Sequence, residues 1–153
     1  MLFFTILFLA YSVTVLIRGR SFHQLQVELG EEEIKKQRLG TERYVENTEI
    51  LAKALLTSFL FLLPLLIIES IYLTKAVKVD PYLYPSLVAL VLFIGQFIFG
   101  VLKVKKKVDL STEQKVDKYR KQLSRTRTFG GFINALLWTS YFGYMTYVLL
   151  FLV

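Results

Sequence analysis

A chain of 153 residues in which 54% of side chains are hydrophobic and 15% aromatic holds more apolar surface than one soluble core of that size can bury. Lipid is the solvent that fits it, and the net charge of +7, which in a soluble protein would suggest nucleic acid, is then the ordinary mark of cytoplasmic loops. Cysteine is absent, which excludes disulfides, thiolate metal centres, thiol redox chemistry and palmitoylation.

The first apolar run, Leu2 to Ile17, is followed by Arg18 and Arg20. Crossing a hydrocarbon core about 30 Å thick takes roughly 20 residues at about 1.5 Å each, and snorkelling arginines extend the run to that length. No cation precedes the run and two follow it, the reverse of a secretory signal, so the reading is a retained first helix with Met1 outside. His23, the single histidine, has no second imidazole or thiol with which to share a metal and reads as an interfacial residue. Further on, Glu31, Glu32 and Glu33 precede Lys35, Lys36 and Arg38, an order that suits a helix dipole. Gly30 and Gly40 bracket this short charged helix. Thr41 is placed to cap the next one, which leads into the second run with Glu49 and Lys53 at i,i+4 spacing.

The second run contains Pro64 and Glu69, the one acidic residue well inside an apolar stretch. Proline frees a backbone carbonyl and can open a wet notch nearby. Counted from Lys75, Glu69 lies about 9 Å below the charged boundary, where an interfacial carboxylate is the preferred reading over an ion or substrate site. Asp80 and Pro81 read as the cap and first residue of the third run, with Tyr82 and Tyr84 at headgroup level. Gln96, between Gly95 and Gly100, and Asn134, early in the fourth run, are amides of the kind that hydrogen-bond between membrane helices. Lys103, Lys105, Lys106 and Lys107 follow the third run and are expected to meet anionic lipid headgroups. Ser111 with Gln114 suggests a capping box, opening a basic amphipathic helix whose apolar face is Val116, Tyr119 and Leu123. In the fourth run Gly131, Ala135, Thr139 and Gly143 recur every four residues, a small-residue stripe that marks a helix–helix interface.

The first connection carries six Lys and Arg residues, the second two and the third ten. Cation-rich short loops stay inside, so residues 18–49 and 103–128 are expected to be cytoplasmic and both termini outside, in a prokaryotic cytoplasmic membrane. The expected fold is an all-α membrane protein of one domain, 1–153. Its four transmembrane helices, at about 1–20, 50–73, 81–102 and 129–153, form two antiparallel hairpins with helical cytoplasmic extensions at about 21–49 and 111–128.

No Walker loop, zinc-protease helix, serine elbow, pair of intramembrane aspartates or cysteine pair is present, so the reading is a protein that is not an enzyme and has neither cofactor nor metal. The basic segments lack interleaved stacking aromatics, which argues against nucleic acid. The expected function is a non-catalytic accessory or scaffold subunit that docks other membrane subunits, or further copies of itself, through its helices and charged segments. The alternative is a small homo-oligomeric ion-coupled transporter or channel using Glu69, with Gln96 and Asn134 along its path. A holin-like permeabilising protein is the third reading.

Overall fold

A computed structural model describes residues 1–39, 47–104 and 109–153, with all of their side chains except those of 101, 103 and 104. Every element among these residues is helical: α1 (Leu2–Arg18), α2 (His23–Leu39), α3 (Thr48–Val79), α4 (Tyr84–Val104), α5 (Glu113–Leu123) and α6 (Phe129–Phe151). The all-α expectation therefore holds. By length and composition α3 is able to cross a membrane, and α1 with α2, bent by 60°, would be a second crossing if taken as one broken span. The apolar stretch of α4, Tyr84–Gly100, is shorter. α6 is 23 residues long, but Asn134, Thr139, Ser140 and its glycines and tyrosines dilute its apolar character.

Helix boundaries depart from local expectation where a distant partner intervenes. Gly30 is not a boundary: α2 runs through it, and a Cβ there would fall 2.3 Å from Leu123 Cδ1, so the glycine is what lets α5 lie close. Gly40 and Thr41 lie outside the described residues; Asn47 caps α3 instead, accepting from the Glu49 N–H at 3.2 Å, and Glu49 does pair with Lys53, at 3.0 Å. Asp80 and Pro81 do not begin α4. They form the turn after α3, and Pro85 is the proline in the first turn of α4. The Ser111–Gln114 box does not form: Thr112 is the cap residue, and Asp109 receives the Ser111 N–H at 3.1 Å and pairs with Lys115, because a carboxylate can take a cation as well as an amide. Those contacts hold the Asp109 carboxyl down at about 2.

α3 widens to a π turn over Ser58–Leu62, where the Leu63 N–H reaches back to the Ser58 carbonyl. Pro64 follows directly. A proline ring presses on the carbonyl four residues back and donates no N–H, and a wide turn relieves both problems.

α6 lies along α1, the Leu63–Val79 part of α3 packs on α4, and α6 also touches α4. Phe8, Tyr72, Leu73, Ala76, Ala89, Phe142 and Met145 meet in one core drawn from all four helices. That core sits toward the Asp80 end. At the opposite end, no residue of Thr48–Thr57 or Ser58–Leu62 is buried and that part of α3 packs chiefly on α2, so α3 parts from the other apolar helices there, while the Arg20 N–H donating to the Thr126 carbonyl keeps α1 beside α6. A second, smaller core of Ile34, Leu110 and Val116, with Tyr119 packed against it, joins α2 to α5. The apolar face expected for α5 is the one that is used.

Candidate functional site

A cavity of about 360 Å³ opens where α3 begins to part from the other apolar helices. α1 lines it with Phe8, Tyr11, Ser12 and Val15, positions one and two turns apart on a single face. α3 adds Leu65, Leu66 and Glu69, and α4 adds Phe93, Gln96 and Phe97. α6 adds Gly131, Asn134, Ala135 and Trp138, again on one face. The three polar residues singled out by sequence, Glu69, Gln96 and Asn134, thus lie on three different helices and share one wall-to-wall space.

Their bonding is uneven. The Trp138 indole N–H donates to Gln96 Oε1 at 3.4 Å, and Gln96 Nε2 in turn donates to Asn134 Oδ1. The Ser12 hydroxyl is occupied by the Leu9 carbonyl at 2.9 Å. Glu69 is half-buried and receives no hydrogen bond or ion pair from any described residue. Glu69 lies 11 residues before Asp80, or about 16 Å along the axis of α3. Phe8 stacks on Phe142 at 5.3 Å and meets Tyr72 edge-on at 5.6 Å, while Trp138 stacks on Phe142 at 5.6 Å. These rings close the cavity toward the Asp80 end. Tyr11, Gln96, Phe97 and Gly131 remain exposed, so it stays open along its side.

The small-residue stripe contributes only partly. Ala135 is buried and Gly131 lines the cavity, but a Cβ at Gly143 would meet nothing within 4 Å. The buried residues of α6 are Ala135, Phe142, Met145 and Val148, a stripe set by bulk as much as by smallness. Lys105, Lys106 and Lys107 lie outside the described residues, and of Lys103 only the backbone at the end of α4 is described.

Sequence reasoning passed over Trp138 and the bonding of Asp80. Trp138 follows Asn134 by four residues, one helical turn, which was the available signal. Asp80, 6% exposed, accepts from the backbone N–H groups of Tyr82 and Ser86 and from the hydroxyls of Ser86 and Tyr144. Burial works to raise its carboxyl, but the bonds from Tyr144, Ser86 and the two amides outweigh it and hold the group below its ordinary 3.8. This is a structural lock at the closed end of the bundle rather than a free binding group.

α2 and α5 are tied by charge. Arg120 grips Glu31 with two nitrogens, each at 2.9 Å, Arg38 meets Glu113 at 2.8 Å, and Tyr119 donates to Glu33 at 3.0 Å. His23 Nε2 donates to the Leu123 carbonyl at 2.9 Å, which fixes its tautomer. Arg120 holds the Glu31 carboxyl below its ordinary 4.5. A depressed acid adds stability above its unfolded value and loses it as pH falls through the folded one, so the α2–α5 contact should be constant from neutrality to about pH 5 and loosen below about pH 4. Arg120→Ala should weaken it only modestly, since solvent screens the pair. Hydrogen exchange of the α5 amides, corrected for intrinsic rates, measures both effects; protection that is flat down to pH 3 would exclude the pair as a source of stability.

No protein-family model, characterised protein or solved structure matches the chain.

Proposed function

We propose that the chain is an integral membrane protein in which α1, α3, α4 and α6 cross the bilayer as two antiparallel hairpins, with both termini outside and α2 and α5 on the cytoplasmic side. The helices are 17, 32, 21 and 23 residues long, against the roughly 20 a crossing needs. They are sheathed in exposed Leu, Ile and Phe, a surface that lipid accommodates and water does not. The asymmetry of Lys and Arg supports the orientation.

Within that frame the protein acts as a small transporter, and Glu69 is the group that binds. One observation carries this reading: three polar side chains from three helices converge on one open cavity, and the carboxylate among them has no partner among the described residues. An ionisable group within an apolar helix is costly to keep in a membrane for packing alone. Among the described residues no second carboxylate, imidazole or amine lines the cavity, so binding suits it better than bond-making. In proteoliposomes given a pH step and offered, in turn, an alkali ion, a small amine, an amino acid and a sugar, at least one should accumulate above empty vesicles. Glu69→Gln should reduce that accumulation at least tenfold. A folded preparation that accumulates none of them, or a Glu69→Gln variant that matches the parent, would sink the assignment.

The accessory-subunit reading keeps one observation of its own. The Thr48–Leu62 part of α3 packs chiefly on α2 and buries nothing, a surface that a further subunit could cover. Its test is purification in mild detergent. A stoichiometric partner lost on Leu56→Arg, with the fold retained, would support it, and a partner-free chain would not.

A further inference from the structure

Resting on the binding role just assigned to the cavity, the geometry points to its ligand class: we propose that it takes a hydrophobic organic monocation, an ammonium attached to an aromatic or branched alkyl body. Among the described residues Glu69 is the only charged side chain in the lining, and the ligand is the source of its counter-charge. Around it stand the rings of Phe8, Tyr11, Phe93, Phe97 and Trp138. Aromatic faces attract a cation whose charge is diffuse and weakly hydrated, and they add apolar area for its body.

The oxygen donors explain why a bare metal ion is a poor fit. An alkali or divalent ion stripped of water needs about six oxygens around it. Here Gln96 Oε1 already accepts from Trp138 and Asn134 Oδ1 from Gln96, which leaves each amide oxygen one lone pair, and the Ser12 hydroxyl, donating to Leu9, keeps its own. Beside these few neutral oxygens there is one described carboxylate, which neutralises one charge. Five rings and one carboxylate in about 360 Å³ suit a single-ring ammonium, within the size range of small-molecule pockets.

Trp138 is the only tryptophan in the chain and lines the cavity, so its fluorescence reports occupancy directly. The probes are benzyltrimethylammonium and its uncharged carbon isostere, neopentylbenzene, titrated into the intact chain in nanodiscs. The cation should change Trp138 emission saturably, with at least tenfold tighter binding than the isostere. Glu69→Gln should remove that preference, weakening the cation about tenfold and leaving the isostere unchanged, while Glu69→Asp, which keeps the charge, should restore most of it. Equal binding of the two probes, or a cation unaffected by Glu69→Gln, would overturn the inference yet leave transport of another solute class intact. If the cation alone binds but the vesicles accumulate nothing, the ligand class stands and the transporter role falls. Emission unmoved by either probe, in a protein whose α-helical spectrum matches the parent, overturns the ligand class outright.

Discussion

Asp80→Asn is expected to lower the unfolding free energy by about 2–3 kcal/mol, although it changes one atom. Each oxygen of the carboxylate accepts one backbone N–H and one hydroxyl: Oδ1 takes Tyr82 N at 3.1 Å and the Tyr144 hydroxyl at 2.6 Å, while Oδ2 takes Ser86 N at 3.1 Å and the Ser86 hydroxyl at 2.7 Å. A hydroxyl can rotate to accept instead. A backbone N–H cannot, so whichever oxygen becomes the amide nitrogen faces a donor with nowhere to turn. Tyr144→Phe deletes a single donor and should cost only about 1 kcal/mol. Unfolding in dodecyl maltoside titrated with SDS compares the two, and an Asp80→Asn variant as stable as the parent would refute this account of the turn.

Gly19→Ala should be more damaging, at about 3–4 kcal/mol. Gly19 has φ +90° and ψ −151°, a region that side-chain-bearing residues rarely enter. An added Cβ would also fall 2.5 Å from the Thr126 carbonyl oxygen, backbone that is itself held by the Arg20 N–H at 3.0 Å. Nothing flexible can yield there. Gly143→Ala is the matched control: its site is open to 4 Å and helical, so the change should be neutral or slightly stabilising. The same titration separates them, and equal costs at the two positions would remove the special status of the Gly19 turn. A large cost at Gly143 would instead reveal a close neighbour on the small-residue stripe.

The apolar runs announce α1, α3, α4 and α6 because a long stretch of apolar residues without a breaker leaves an unbroken mark in sequence, and a helix satisfies its own backbone wherever it lies. Boundaries are less legible. Gly30 reads locally as a stop, but its use is to admit Leu123 from a helix 93 residues away, and Asp80 reads as a cap for its neighbour when its carboxylate also binds Tyr144 on α6. Glu69, Gln96 and Asn134 stand out singly as polar residues among apolar ones. Their convergence depends on the rotation of three helices about their axes, and in α3 the π turn before Pro64 sets part of that rotation. Composition alone carries no such phase.

The pairing of α1 with α6 orders the making of this protein. α1 and α6 are the first and last of the described helices, so the α6 side of α1 finds its partner only after the four helices between them have been made. Bundle closure is in that sense a late, long-range event, with the Arg20 to Thr126 bond spanning 106 residues. A ribosome stalled before Phe129 would leave α1 with its α3 contacts through Phe8 and Tyr72 but without α6, and the cavity missing one wall.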